Sequence, residues 1–333
     1  MIVVEAPSRL HFGLLSFPAG PYWPNHLGQE NIPARRFGGV GLMTRSPGMS
    51  LRLRPAKDWS ARGPLADRAL AFARGFSESL MAKGSGIPGQ PQYILIDRSA
   101  PEHVGLGTGT QLGLSVARGL SVAWDLEMDA EELAGHVGRA ARSALGYHGF
   151  FHGGFLVEAG QSKTAAVSPL IARVPFPESW RIVVVIPPVG TGLHGQEENE
   201  AFQHLQDLPL SQTDRLCRLV LLGLLPALIE KNLAAFGEAL FDFNHSAGQT
   251  FAGIQNGSYA SPRITELIQF IRRQGIAGVG QSSWGPTVFA VVEDEARGEQ
   301  LARQVRETFG LQENEVLVIT ACNGGATVKV IEE

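Results

Sequence analysis

A chain of 333 residues, 44% of them hydrophobic and 18% charged, is long enough for one large or two ordinary domains around a buried core. Forty glycines without a three-residue period exclude collagen, and a formal net charge of −4 suggests neither nucleic-acid nor membrane binding. The charge is uneven: residues 1–100 carry 12 basic and 6 acidic side chains, residues 101–333 carry 16 and 26, a bias that fits scattered surface arginine or a small anionic ligand.

Ile2 to Glu5 and Arg9 to Leu15 read as two short strands around Pro7. The irregular, proline-rich segment Phe17 to Arg36 has the length of a functional loop. Ser50 to Arg54 alternates like a half-buried strand, Leu65 to Met81 has helical spacing, and Gln92 to Asp97 reads as a strand. The glycine-rich stretch 105–111 feeds an amphipathic helix, Leu112 to Trp124, and a second helix, Ala130 to Ala144, follows. Leu145 to Gly154 reads as a glycine/aromatic turn, Phe155 to Ala159 and Arg181 to Ile186 as strands. Helices are expected at Glu197–Leu205, Thr213–Glu230, Leu233–Phe243 and Pro262–Gln274. The end alternates strand (Thr287–Val292), helix (Glu295–Phe309) and strands (Glu315–Thr320, Thr327–Ile331). This order predicts an α+β protein with a boundary near residue 180.

Cys217 and Cys322 cannot build a disulfide framework and read as buried hydrophobes in a reducing compartment. The start, MIVVEAPSRL, lacks a basic n-region and a long apolar core. The longest apolar run, Leu219 to Ile229, contains Pro226 and is shorter than the ~20 residues of a spanning helix. A cytoplasmic protein is expected.

Gly105-Leu106-Gly107-Thr108-Gly109-Thr110-Gln111 has the features of a phosphate cradle: glycines admit close approach, helix-start amides point at an anion, and either threonine could ligate a metal. No lysine follows its last glycine, so it is no Walker loop, and a glycine-rich helix start that binds nothing is the alternative to the phosphate reading. Gly278 to Pro286 could wrap a second anion through Ser282 and Ser283 or form an ordinary turn. Arg9, between apolar residues, is an anion clamp or a surface charge. His148 and His152 are four apart, but Gly149, Gly153 and Gly154 argue against a shared helical face. A pocket formed with Tyr147 suits them better than zinc. Glu197, Glu198 and Glu200 fit a helix N-terminus or Mg²⁺ ligation, while Asp242, Asn244 and His245 read as an exposed helix end.

P-S-R-L-H at 7–11, F-G-G-V-G-L at 37–42, G-L-G-T-G-T-Q at 105–111, H-G-G-F at 152–155, P-P-V-G-T-G-L-H-G at 187–195 and G-Q-S-S-W-G-P-T at 280–287 occur in that order. Together they resemble the GHMP small-molecule kinase superfamily and, within it, the beta-ribofuranosylaminobenzene 5'-phosphate synthase family. The resemblance implies a two-lobed fold, an N-terminal phosphate-binding domain over 1–180 and a ferredoxin-like C-terminal domain over 181–333. It implies a decarboxylating phosphoribosyltransferase of tetrahydromethanopterin biosynthesis. The donor would be 5-phosphoribosyl 1-pyrophosphate (PRPP), the acceptor 4-aminobenzoate or 4-hydroxybenzoate, the cofactor Mg²⁺ and the assembly a homodimer. An ATP-dependent kinase of the same superfamily is the alternative. The roles implied are Gly105, Gly107, Thr108, Gly109, Thr110 and Gln111 on the pyrophosphate, with Thr110 a Mg²⁺ contact. Ser282, Ser283 and Gly285 would close over a phosphate, Arg9 or His11 would engage a substrate anion, and Tyr147, His148 and His152 would line the aromatic acid's pocket, His148 with a catalytic role. Superfamily kinases commonly carry an Asp before the Gly-Gly turn, whereas Leu145 to Gly154 contains no carboxylate, which suits a reaction that expels carbon dioxide rather than activating an alcohol.

Overall fold

The structure, a computed structural model, describes residues 1–16, 22–23, 32–33, 35–82, 89–138, 143–162, 167–190, 192, 200, 210–255 and 257–332. β1 (Ile2–Ser16) is one long strand rather than two. Its register against the neighbouring strand shifts between Ala6 and Ser8, where the irregularity absorbs Pro7, which has no N–H to give, and again between His11 and Gly13. β2 (Tyr22–Trp23) pairs with β3 (Ile32–Pro33). The rest of the proline-rich segment through residue 34 lies outside the described residues.

β4 (Phe37–Pro55), β5 (Ser60–Arg62), α1 (Ala66–Ala82), β6 (Gln92–Arg98) and α2 (Thr108–Ala123) follow. α3 (Ala130–His136) stops short of the expected Ala144, with Gly138 beyond it at φ 62. Leu145 to His152 forms a helix, α4, where a turn was expected. The glycines serve packing there: a Cβ on Gly149 would lie 2.1 Å from Met43 Sδ, and one on Gly146 would lie 3.2 Å from Thr110 Cγ2. Close tertiary contact thus outweighs the poor helix propensity of glycine.

After β7 (Phe155–Glu158) and β8 (Leu170–Val174) the chain leaves the first sheet for β9 (Arg181–Val185). The expected helix at 197–205 lies outside the described residues except for Glu200. α5 (Leu210–Leu219) runs through a π-helical turn (Val220–Leu224) into α6 (Leu225–Ile229), which accommodates Pro226 near its start. Then come α7 (Leu233–Gln249), α8 (Ala252–Gln255), α9 (Pro262–Arg273), β10 (Val279–Gln281), β11 (Val288–Val292), α10 (Glu295–Phe309), β12 (Val316–Ile319) and β13 (Thr327–Val330). Among the described residues the first sheet has the order β13-β1-β4-β6-β5, with β7 on β4 and β8 on β7; the second is β10-β11-β9-β12. The last strand therefore returns to the first sheet, against β1.

The second sheet is buried on both faces, which explains its unbroken apolar strands. Val183 and Val185 face a core with Ile264, Leu267 and Leu301 of α9 and α10. Ile182 and Val184 face the other way, into the core shared with β1 and α7. Phe12 joins the two sheets there, its ring 6.2 Å from Phe155 and 4.7 Å from Phe289. Cys322 is buried as expected, but Cys217 is exposed, because Leu216 and Val220 occupy the inward face of its helix.

Candidate active site

Five segments distant in sequence are sewn together where the lobes meet. The glycine loop is held on three sides: Arg9 N–H donates to Leu106 O at 2.9 Å, Ser282 Oγ donates to Gly105 O at 2.7 Å, and Thr287 N–H donates to Val104 O at 3.3 Å. His11 N–H donates to Ser282 Oγ at 2.9 Å and Ser283 N–H returns a bond to His11 O at 2.9 Å. Gly192, the described glycine of the 187–195 motif with Gly190, donates its N–H to His103 O at 2.7 Å; a Cβ on it would lie 2.5 Å from Gly285 O. Asn244 is not the exposed cap that sequence suggests: α7 continues past it, and its buried amide donates to Phe12 O and Gln281 O while accepting from Gln281 N–H.

A cavity of about 290 Å³ opens at this junction. Arg9, His11, Thr110 and Ser143 line it on the first-sheet side, and Phe251, Tyr259 and Trp284 line it on the other. Arg9 and His11 reach it together because residues two apart on a strand share a face, while Leu10 turns into the core. Among its described lining residues the cavity holds a guanidinium and no carboxylate, a charge that suits an anion. Burial, and then the neighbouring Arg9 charge, hold the His11 imidazole well below its ordinary pKa, so it is neutral near pH 7.

The expected site residues divide. Gly107 caps α2 in a left-handed conformation (φ 71) without a side-chain cap, so the first-turn amides of Thr108 and Gly109 are offered to a ligand. Thr110 and Ser283 line the cavity. Thr108 Oγ1 instead donates to Pro101 O at 2.7 Å, Gln111 Nε2 to Gly146 O at 2.8 Å, and Ser282 is wholly committed to the stitching above. Gly105 and Gly285 supply left-handed turns at φ 91 and 71, and Gly109 abuts Arg68. Tyr147, His148 and His152 do not line the cavity. Tyr147 belongs to the core beneath α1 and α2, His148 Nε2 donates to Ser168 O at 2.7 Å, and His152, at the end of α4, stacks on His148 with ring centres 6.4 Å apart. Among the described residues no three His, Cys, Asp or Glu side chains gather as a metal cluster; Glu197 and Glu198 lie outside them.

Two features escaped the sequence reading. Glu158, fully buried, accepts from Ser143 Oγ at 2.6 Å and Ala144 N–H at 2.8 Å, and Ser143 Oγ lies 3.4 Å from His11 Nε2. A lone acid ending the apolar strand Phe155–Glu158 was the available signal. Arg68 pairs with Glu102, one residue after Pro101, and its guanidinium sits where a Cβ on Gly109 would be 2.5 Å away. That places a cation beside the first turn of α2. Arg68→Ala is expected to weaken binding of inorganic pyrophosphate about 10-fold, the loss of one charge-assisted hydrogen bond. Isothermal titration calorimetry with pyrophosphate checks this.

Models of the GHMP kinase N-terminal domain and of the GHMP kinase C-terminal region match residues 69–154 and 224–311. Homoserine kinase from Cytophaga hutchinsonii superposes with a TM-score of 0.66 at 17% identity, over 98% of this chain and 97% of that one. Mevalonate pyrophosphate decarboxylase from Streptococcus pyogenes gives 0.64 at 13%, over 97% of each. The fold is thus that of the GHMP kinases. Within it, the beta-ribofuranosylphenol 5'-phosphate synthases of Methanothermobacter thermautotrophicus and Archaeoglobus fulgidus are 31% and 28% identical. The first alignment covers 98% of both chains, the second 99% of this chain and all of the other. The chain belongs to the beta-ribofuranosylphenol 5'-phosphate synthase family and is an enzyme of that type.

Proposed function

We propose that the enzyme condenses PRPP with 4-hydroxybenzoate, releasing pyrophosphate and carbon dioxide and leaving a β-ribofuranosylphenol 5'-phosphate. The observation that carries this reading is the cavity, which sets Arg9 and His11, beside the glycine loop, and Thr110, within the helix that loop begins, opposite an aromatic wall of Phe251, Tyr259 and Trp284. The relatives are named for a phenol product, which favours 4-hydroxybenzoate over 4-aminobenzoate.

In this reading the amides of Thr108 and Gly109, with Arg68 beside them, receive the donor's pyrophosphate. Breaking the C1–O bond of the ribose moves negative charge onto that group, and preorganised donors aimed there lower the barrier. Trp284 and Phe251, whose rings stand edge to face 4.6 Å apart, bound the place for the acceptor ring. The ring carbon bearing the carboxylate then faces C1. Mg²⁺ would come in with the donor as part of the substrate and would supply positive charge to offset that of the leaving group. Thr110, on the cavity wall, would offer it one protein oxygen, and Mg²⁺ would keep the rest of its ligands as phosphate and water oxygens.

Thr110→Val, nearly the same volume without the hydroxyl, is expected to lower kcat about 100-fold with an unchanged melting temperature. Retained turnover would remove Thr110 from the site. A parallel incubation with ATP and acceptor tests the superfamily alternative: no ADP is expected, and ADP formation without pyrophosphate release would replace the transferase reading by a kinase. We also propose a cytoplasmic homodimer. No helix among the described residues is long and apolar enough to cross a membrane, and light scattering at twice 35.7 kDa is the expected result.

A further inference from the structure

Behind the cavity wall lies a polar line that phosphate binding does not use. Glu158 is fully buried at the end of β7, 0% exposed. A carboxyl group there needs partners, and it has Ser143 Oγ at 2.6 Å and Ala144 N–H at 2.8 Å. Ser143 and His11 both line the cavity, and their polar atoms are 3.4 Å apart. Gly39 leaves room for this meeting, since a Cβ there would lie 3.2 Å from both Glu158 Oε1 and His11 Nε2. Ser143 has one hydroxyl proton and gives it to Glu158, so Nε2 of His11 carries the proton of the second pair. Nδ1 is then the unprotonated nitrogen of a neutral imidazole. Burial raises the Glu158 pKa and the Ser143 and Ala144 hydrogen bonds pull it back.

We propose that His11, oriented through Ser143 by the buried Glu158, borrows and returns the para-hydroxyl proton of the acceptor. This rests on the reading given above. As the ring carbon bonds to C1 of the ribose, pyrophosphate leaves with the electron pair of the C1–O bond. The para oxygen becomes a carbonyl and its proton passes to His11 Nδ1. The ring is now a cyclohexadienone whose former carboxylate-bearing carbon holds both ribose and carboxylate. Carbon dioxide departs, its bonding pair restores the aromatic ring, and the para oxygen takes the proton back. A weak base suffices, because a hydroxyl conjugated to the forming bond becomes strongly acidic, and a weak base returns its proton readily. A para-amino acceptor makes no such demand: its nitrogen supplies the electrons as an iminium without losing a proton. Glu158 and Ser143 are positioning residues; His11 meets the substrate.

The test compares wild type with Ser143→Ala and Glu158→Gln at saturating Mg²⁺ and PRPP, following carbon dioxide release. The acceptors are 4-hydroxybenzoate, its 3,5-difluoro analogue, whose hydroxyl is already ionised at the assay pH, and 4-aminobenzoate. Both variants are expected to lose about 100-fold in kcat with 4-hydroxybenzoate, the usual worth of a positioned base. The loss should be within about 3-fold for the ionised analogue and for any amine turnover, with donor KM unchanged. Misfolding would depress all acceptors together and cannot produce this split. An equal loss across acceptors, or no loss, overturns the relay and leaves the condensation intact. Wild type that releases carbon dioxide from no acceptor overturns the underlying reading and the relay with it.

Discussion

Gly105→Ala is expected to silence the enzyme and to lower its stability at once. Gly105 has φ 91, a conformation an alanine adopts only with strain, and its Cβ would lie 2.2 Å from the Ser282 carbonyl oxygen. The obstacle is backbone, which cannot rotate away. Strain of about 1–3 kcal/mol from the dihedral alone is expected, with the steric clash added to it. The same clash pushes apart the glycine loop and the Ser282 loop, whose contact aligns the α2 amides with Arg9 and His11. Turnover should fall more than about 100-fold, a loss typical for misplaced transition-state donors. Gly135→Ala is the control: beyond its chain neighbours and its own helix backbone nothing lies within 4 Å of the Cβ position, so stability should hold or rise by up to ~1 kcal/mol. Thermal unfolding and kcat on both variants check this; a Gly105→Ala enzyme with near wild-type turnover would show that the inter-lobe stitching is dispensable.

Arg9→Ala is expected to lower kcat/KM for PRPP about 100-fold, the upper end of one charge-assisted hydrogen bond at ~1.5–3 kcal/mol. Arg9 lies against the glycine loop: a Cβ on Gly107 would be 3.2 Å from its Nε. Arg9→Lys should restore little, since a planar fork suits phosphate oxygens better than a single ammonium. A second consequence follows from electrostatics. Arg9 is one of the causes that depress His11, after burial, so its removal should raise the His11 pKa toward the ordinary value without reaching it. Imidazole shifts followed by NMR against pH would show the rise. An unmoved His11 titration would mean that Arg9 does not sit beside it in solution.

Much of this site was legible in the sequence, for reasons that are local. A glycine run directly ahead of an apolar helix signals an N-terminus without a side-chain cap, and α2 has one, with Gly107 at the N-cap position in the left-handed region. Two residues of opposite character to their neighbours, Arg9 and His11, stood on one face of an apolar strand and reach one cavity. What the sequence concealed is long-range. Propensity speaks against a helix through Gly146 and Gly149, and only the proximity of Met43 and Thr110 shows why glycine is needed there. The hydroxyls of Thr108 and Ser282 are the same residue types as those of Thr110 and Ser283, yet partners at Pro101 and Gly105 withdraw them from the cavity. His148 was drawn away by Ser168 O, and the aromatic wall came instead from Phe251, Tyr259 and Trp284 on the other lobe. Glu158 could have been noticed as the single charge in an otherwise apolar strand, but not its line to His11, which depends on how α4 meets β7.

In the proposed reaction one cavity brings a phosphoribosyl donor against an aromatic acid and exchanges carboxylate for ribose. The direct measurement uses purified enzyme, Mg²⁺, PRPP and 4-hydroxybenzoate labelled in the carboxyl carbon. Labelled carbon dioxide and pyrophosphate are expected in equal amounts, each matched by one β-ribofuranosylphenol 5'-phosphate. Pyrophosphate released without labelled carbon dioxide, or a product that keeps the label, would contradict it.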